Sequence, residues 1–412
     1  MYINNNNKKH LITNRFKLLS TYQNYALYIY FFSLNFEMFN ISGIGSVAKI
    51  TAAIYLALLA PDFLKYLNTM FIKRYLVLLL GLWIYLTLVS IININSYSDN
   101  FANLTLLLNI LLYWILINHE RRNPGVLIKG IISFIWGSII LSFLYKLGLG
   151  IEIQDNRLTI FGDNPNALAL KIGISLVCVL YFVLLNDLKL NKARYFYLLM
   201  LPIFISLIRD TGSRKAFIAI LISMIIIAVS LKKEHKLSSI FVLIFMIGIA
   251  IIFLKISFES ETMVKRLISV FEKGDIGGRE ELWPALIPLV FNRPFFGYGI
   301  TGYERESIKL FGYVESPHNV FIEIALLGGA VGLIFYGLFV LKISLRAIKI
   351  YKESNSILEV LLLVFAFARI LGGQALDTKI VWASFALITS DLLKRNHDIY
   401  NKRDKVLYKC TT

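Results

Sequence analysis

The chain of 412 residues is poor in the residues that build disulfides and metal sites, with two cysteines and five histidines. Cys178 lies in an apolar run and Cys410 in a basic tail, so we expect no disulfide between them. No pair of residues has the spacing of metal ligands. We therefore expect neither a bound metal ion nor a cofactor.

Three motifs of nucleotide-dependent enzymes are also missing. The chain has no Asp-x-Asp sequence to hold a divalent metal on a nucleotide sugar, no P-loop, and no Rossmann glycine pattern in a βαβ unit. These absences argue against a soluble nucleotide-sugar transferase. No base-reading module accompanies the net charge of +17, so we expect no nucleic-acid partner.

Long apolar runs, in contrast, are abundant. The chain is 57% hydrophobic, with a mean hydropathy of +0.67. Runs of roughly 17–25 residues recur, the length that crosses a hydrocarbon core about 30 Å thick. We predict an all-α integral membrane protein of about twelve transmembrane helices. The predicted spans are 22–39, 43–60, 75–93, 101–118, 125–148, 165–186, 193–208, 215–231, 238–257, 318–341, 357–374 and 378–393.

The basic residues indicate how the chain crosses the membrane. With the N-terminus inside, nearly every loop rich in Lys and Arg falls in the cytoplasm, as the positive-inside rule expects. We predict a multi-pass membrane protein with both termini cytoplasmic. Its parts are a cytoplasmic tail (1–21), spans one to nine (22–257), an extracytoplasmic loop (258–317), spans ten to twelve (318–393) and a basic cytoplasmic tail (394–412). Without an obvious small-residue cleavage site, the first helix is interpreted as an uncleaved span, not a signal peptide.

One short outer turn departs from this rule. Between spans seven and eight it carries Arg209, Arg214 and Lys215 on the translocated side. In one interpretation, Arg209 pairs with Asp210 and the other two side chains extend to the membrane interface. In the other, which we prefer, the basic residues are there for function.

The long outer loop has a helical pattern of its own. Apolar residues recur at helical spacing between 263 and 271 and again between 282 and 291, with glycines between the two runs. We predict two amphipathic helices in or near the membrane interface, with Trp283 at headgroup depth. A turn-rich aromatic segment follows over 293–299.

Ionisable residues inside predicted spans are costly and usually face a cavity or a partner. They are Glu37, Lys49, Lys171, Glu323, Glu359 and Arg369. All but Glu359 fall in the outer half of their spans. We therefore expect a polar cavity open to the outer leaflet, whose candidate residues are Lys49, Lys171, Glu323, Arg369 and Asn319. The alternative is a set of structural ion pairs, and the two are compatible because ion pairs often build cavity walls.

His318 is the histidine that falls on the outer side, in Ser316-Pro317-His318-Asn319. We predict that Ser316 caps the following helix with Pro317 at its first position. His318 and Asn319 would then lie in the first turn, where free N–H groups favour an anion. A capping or structural role is the alternative.

Two arginines on the outer side are predicted to begin helices, Arg214 that of span eight and Arg279 the Trp283 helix of the long loop. Arg214 follows a Thr-Gly-Ser turn, and Arg279 follows two glycines. Guanidinium groups match phosphate oxygens through bidentate hydrogen bonds. A histidine such as His318 can accept a hydroxyl proton near neutral pH. Together the three residues indicate chemistry on a lipid-linked phosphate.

Four short motifs, in this order and on this side, resemble the O-antigen ligase and O-antigen polymerase superfamily of bacterial membrane glycosyltransferases. They are Asn164-Pro165-Asn166-Ala167, Thr211-Gly212-Ser213-Arg214, Gly278-Arg279 through Trp283, and Ser316-Pro317-His318-Asn319 running into Leu327-Gly328-Gly329. The layout of twelve spans with one large loop is also similar. The resemblance implies a GT-C-like fold and metal-independent transfer of a glycan from undecaprenyl diphosphate. It also implies that Arg214 and Arg279 bind the diphosphate and that His318 acts in catalysis, near the acceptor hydroxyl.

The acceptor stays open. If the acceptor is another lipid-linked glycan, the chain is a polymerase, which we slightly prefer. If it is lipid A-core, the chain is an O-antigen ligase. A protein acceptor is a further alternative. The other expected partners are membrane lipids and proteins of polysaccharide assembly. A transporter or flippase of lipid-linked oligosaccharides competes, but we find no convincing internal repeat. A non-catalytic assembly partner would not need arginines in outer turns.

Overall fold

The computed structural model describes residues 5–41, 45–70, 72–92, 101–154, 157–185, 192–231, 278–373 and 376–390, with only scattered residues between 232 and 277. The first predicted amphipathic helix of the long loop and most of the predicted span 238–257 lie outside the described residues, as does Cys410.

Helices make up most of the described chain. They are α1 (Asn5–Ser33), α2 (Val47–Leu59), α3 (Phe63–Tyr66), α4 (Lys73–Ile92), α5 (Phe101–Arg122), α6 (Val126–Lys146), α7 (Pro165–Leu184), α8 (Leu201–Thr211), α9 (Arg214–Leu231), α10 (Arg279–Asn292), α11 (Gly299–Phe311), α12 (Val320–Ser354), α13 (Leu358–Ile370) and α14 (Lys379–Thr389). Shorter 3-10 helices cover Leu34–Phe36, Ala60–Asp62 and Lys192–Met200.

Two small hairpins in the described chain correct the all-α prediction in detail. Strand β1 (Asn40–Ile41) pairs with β2 (Gly45–Ser46), and β3 (Ile151–Gln154) pairs with β4 (Arg157–Ile160), both antiparallel. The first precedes α2 and the second connects α6 to α7. Their strands are too short to show the alternating pattern by which longer strands are recognised in a sequence.

Five described helical segments are long and apolar enough to cross a membrane. They are Val47–Tyr66, Lys73–Ile92, Val126–Lys146, Pro165–Leu184 and Val320–Ser354. The chain therefore has the helices of a multi-pass membrane protein. The number of twelve spans stays a prediction, as does the location of segment 258–317 outside the membrane.

Helix α7 lies at the centre of the bundle. Its side chains are buried on every side from Ala167 to Val183, and it packs against α6, α8, α9 and α13. A helix that is apolar all round is stable where other helices surround it. Its start follows the Asn-Pro-Asn motif, because Asn164 accepts hydrogen bonds from the N–H groups of Asn166 and Ala167.

Helix α12 is interrupted, although the sequence predicted one continuous helix over 318–341. Gly329 has φ 56° and ψ −151°, so the helix breaks there. The loop after α10 fills the break: the N–H of Ala330 donates to the carbonyl of Pro294 (2.8 Å), and that of Tyr298 to the carbonyl of Leu326 (2.8 Å). A cavity of about 400 Å³ lies beside this junction, lined by the C-terminal end of α4 and residues 293–297.

Candidate functional site

Arg214 is held by a turn that two of the motifs build together. It begins α9 directly after the turn that ends α8, as predicted. Arg157 fixes this turn, donating from Nε to the carbonyl of Thr211 and from a terminal nitrogen to Oδ1 of Asn166, each at 2.8 Å. The hydroxyl of Ser213 donates to the same oxygen at 3.0 Å. The Asn-Pro-Asn and Thr-Gly-Ser-Arg motifs are therefore neighbours in space.

The basic residues of that turn have separate environments. Arg209 pairs with Asp210 at 2.6 Å, and the hydroxyl of Tyr145 donates to the same carboxylate. The structural interpretation was thus correct for Arg209. Lys215 instead points toward the loop after α13, as described below.

Arg279 begins α10, as predicted, and reaches a distant part of the chain. Gly278 precedes it in the left-handed conformation, with φ 80°. The guanidinium donates to the carbonyl of Gly372 at 3.0 Å and lies 5.9 Å from the centre of the Trp283 ring. The pKa of Arg279 is lowered from its ordinary value by burial and, next, by the positive charge of Arg214. The two arginines predicted to bind the diphosphate therefore lie close to each other.

The predicted start of α12 is wrong. Helix α12 begins at Val320 and its cap is Asn319, whose Oδ1 accepts from the N–H groups of Phe321 (2.9 Å) and Ile322 (3.3 Å). An asparagine at this position satisfies the free donors of the first turn better than the earlier Ser316 would, since it reaches two of them. His318 consequently precedes the helix and does not lie in its first turn.

His318 has an unusual backbone conformation. Its φ of 53° lies in the left-handed region, which costs a residue other than glycine about 1–2 kcal/mol. The residues on both sides hold it there: Asn319 caps α12, and the carbonyl of Pro317 accepts from the indole nitrogen of Trp283 at 3.0 Å. Such strain often marks functional positions.

The half-buried imidazole of His318 is surrounded mainly by cations. Its pKa is lowered from the ordinary value by burial first, then by Arg279 and Lys215, with a smaller effect of Arg369. Glu315, whose Oε1 lies 3.7 Å from Nε2, acts in the opposite direction. At neutral pH the ring is therefore neutral and can accept a proton.

Two glycines after α13 bring the cations together. A Cβ on Gly372 would lie 2.4 Å from Cδ and Cε of Lys215, and a Cβ on Gly373 would lie 2.9 Å from a terminal nitrogen of Arg369. Since Arg279 donates to the carbonyl of Gly372, cations from α9, α10 and α13 all contact this dipeptide. We call Arg214, Lys215, Arg279 and Arg369 the basic cluster.

A buried ion network lies next to the basic cluster. Lys171 pairs with Asp163 at 2.9 Å and with Glu37 at 3.8 Å, and Lys379 also pairs with Glu37. Arg369 donates from Nε to the hydroxyl of Thr378 at 2.9 Å. At Lys171 the structure therefore contains the structural ion pairs that were the alternative to a polar cavity.

The other cavity candidates are dispersed. Lys49 is exposed in the first turn of α2, and its place in an outward-open cavity stays a prediction. Asn319 is a helix cap. Oε2 of Glu323 is buried and has no hydrogen-bond partner within the described part of the chain. In the same part, no group of three or more His, Cys, Asp or Glu residues is placed to bind a metal ion.

Several residues of the site were missed by the sequence analysis. Lys215 was noted in its turn but not assigned to the site, although it follows Arg214 directly. Glu315 precedes the His318 motif, and Asp163 precedes the Asn-Pro-Asn motif, so their positions beside motifs were usable signals. The Gly372–Gly373 pair follows Arg369 closely but carries no chemical group that would have singled it out.

Comparison with known proteins adds an independent finding. Residues 198–337 match the family model described as O-antigen ligase, and this region contains Arg214, Arg279 and His318. The chain is also 26% identical over 253 residues to the ComP-specific O-oligosaccharyltransferase of Acinetobacter baylyi. That alignment covers 57% of this chain and 45% of the relative, so the chain spans less than half the length of the protein it matches. The resemblance first noticed in four motifs is thereby confirmed: the segment 198–337, which carries three of them, matches the O-antigen ligase family.

Proposed function

We propose that this chain transfers a glycan from undecaprenyl diphosphate to an acceptor hydroxyl on the outer face of the bacterial inner membrane, in surface polysaccharide synthesis. One observation carries the proposal. Arg214, Arg279 and His318 come from three separate segments, and Arg279 lies near both the Arg214 guanidinium and the His318 imidazole.

The chemistry of the transfer requires the groups present there. The acceptor oxygen forms a bond to the anomeric carbon, while the bond from that carbon to the diphosphate oxygen breaks and its electron pair stays on the diphosphate. Arg214 and Arg279 stabilise the negative charge that develops on this leaving group. His318 takes the hydroxyl proton, which a neutral imidazole can do and an imidazolium cannot.

Two candidate acceptors must be distinguished by experiment. A second lipid-linked glycan corresponds to a polymerase of O-antigen, capsule or exopolysaccharide, and lipid A-core corresponds to an O-antigen ligase. The sequence led us to prefer the polymerase slightly. The description of the matching family names a ligase, so the ligase is the second candidate. A protein acceptor is suggested by the name of the relative alone, so we place it third.

His318→Asn tests the catalytic role. Asparagine tolerates the left-handed backbone of this position but is not a base. We expect the variant to keep its melting temperature and its affinity for the donor, and to lose about 10²–10⁴-fold in turnover. The assay uses the purified full-length chain, an undecaprenyl-diphosphate glycan, each acceptor in turn and a chelator, with binding and turnover scored separately.

A matched pair of arginine variants, one in the site and one outside it as its control, is measured in the same assay. Arg279→Lys keeps the charge but loses the planar fork, so donor binding should weaken. Arg305→Lys makes the same change on the exposed face of α11 and should have no effect. Wild-type turnover by His318→Asn would remove His318 from the mechanism, and failure of the unaltered chain with every acceptor would overturn the function.

A further inference from the structure

Lys215 is the member of the basic cluster whose side chain lies directly against Gly372. It is the second residue of α9, directly after Arg214. Its side chain crosses Gly372 so closely that Cδ, Cε and Nζ all lie 2.4–2.5 Å from where a Cβ on that glycine would be. The lysine stem therefore occupies the space that a side chain at position 372 would need.

The same glycine also positions Arg279. The carbonyl of Gly372 accepts from a terminal nitrogen of Arg279 at 3.0 Å. The backbone at 372 is thus in contact with one cation through its Cα and with another through its oxygen. Lys215 also acts on the charge state of His318, which places its ammonium group near the imidazole.

Cations that approach one another repel, and an anion bound among them offsets that repulsion. A lipid-linked diphosphate carries negative charge on both phosphate groups, and it gains a further negative charge as it leaves. Two arginines do not neutralise that total. A lysine contributes a compact point charge, which suits a terminal phosphate oxygen, whereas arginine suits bidentate contacts.

We propose that Lys215 is a third diphosphate-binding residue beside Arg214 and Arg279, and that Gly372 must lack a side chain to let it reach the ligand. This inference rests on the proposed function, because it assumes a lipid diphosphate as the donor. It adds a cation from the turn at the start of α9 and a steric requirement from the loop after α13.

Binding of farnesyl diphosphate to the purified full-length chain tests the proposal without turnover. Lys215→Met keeps the length of the stem and removes the charge. We expect its affinity to fall about tenfold or more, the effect of losing one charge-assisted hydrogen bond. Lys215→Arg should retain most of the affinity. The melting temperature of each variant identifies any loss that comes from misfolding.

Gly372→Ala tests the steric requirement. Its added Cβ should displace the Lys215 stem and weaken binding in the same direction as Lys215→Met. In a Lys215→Ala background the space is free, so the same substitution should cause little further loss. Gly337→Ala is the control, because a Cβ at that position in α12 meets no atom within 4 Å.

The outcomes separate this inference from the proposed function. Wild-type affinity in Lys215→Met, together with weakened binding in Arg279→Lys, would overturn the role of Lys215 and leave the diphosphate site in place. Equal losses from Gly372→Ala in both backgrounds would overturn the steric requirement. Absence of farnesyl diphosphate binding by the unaltered chain would remove the donor assumption itself.

Discussion

At the scale of residues, the site depends on how neighbouring charges act on one imidazole. His318 lies between the positive charges of the basic cluster and the carboxylate of Glu315. Glu315 is itself held in place, because its Oε1 accepts from the N–H of Ser316 (3.1 Å) and its carbonyl accepts from the hydroxyl of Tyr303. The charge state of the proposed base is therefore set by side chains on four different segments: α9, α10, α13 and the loop before α12.

Glu315→Gln should move the acid limb of the pH–rate profile to lower pH. Glutamine can still accept from the N–H of Ser316, but the charge that raises the pKa of His318 is gone. A lower pKa leaves the imidazole neutral, and so able to act as a base, at more acidic pH. The measurement is kcat/KM against pH for the variant and the unaltered chain.

Salt provides the check on that shift. The side chain of His318 is 42% exposed, so the interaction with Glu315 is partly screened by ions. The difference between the two profiles should shrink as ionic strength rises. A limb that stays in place, or moves to higher pH, would show that Glu315 does not control the base.

At the scale of elements, the interrupted helix α12 joins the site to the rest of the bundle. Its first segment follows His318, and the break at Gly329 receives the loop after α10, the helix that carries Arg279 at its start. The backbones approach so closely that a Cβ on Gly329 would lie 2.5 Å from the carbonyl carbon of Phe295, and a Cβ on Gly297 would lie 2.6 Å from the nitrogen of Gly328. The junction therefore requires glycine on both sides.

Gly329→Ala should destabilise this junction. The substitution places a side chain at φ 56° and ψ −151°, a region that essentially only glycine adopts and that costs on the order of 1–3 kcal/mol. It also places the side chain against backbone that cannot move aside. We expect a lower melting temperature in detergent and reduced glycan transfer, because α10 and the start of α12 would shift. Gly337→Ala, in an open helical position, should be neutral or stabilising by about 0.5–1 kcal/mol. Equal melting temperatures of the two variants would contradict a tight junction.

At the scale of the whole molecule, one end of the helical bundle collects the polar groups. The starts of α7, α9, α10 and α12 and the end of α13 meet there around the basic cluster, and the Lys171 network extends below it toward the core. Breaking a buried ion pair by removal of one partner is costly, about 3–5 kcal/mol. The network thus fixes the segment that follows α1, at Glu37, relative to α7 and α14 beside the site.

The orientation of this end is a prediction that labelling can test. In a variant without Cys178 and Cys410, a cysteine replacing Glu152 in β3 should react with a membrane-impermeant maleimide from outside the inner membrane. A cysteine replacing Glu353 near the end of α12 should react only after the membrane is permeabilised. Both positions are exposed, so their accessibility reports sidedness. The reverse pattern would contradict the topology and place the site in the cytoplasm.

What the sequence by itself determined were features with local causes. The starts of α7, α9 and α10 were predicted because caps, turns and glycines act within a few residues, and the family was recognised from motifs of four or five residues. The start of α12 was missed because two residues three positions apart, Ser316 and Asn319, could each cap it. Only the tertiary structure decided that Lys215, Arg279 and Arg369 meet at Gly372–Gly373, and that Lys171 pairs with Glu37 and Asp163. These partners are far apart in the chain, and their meeting depends on how whole helices pack, which no local pattern records.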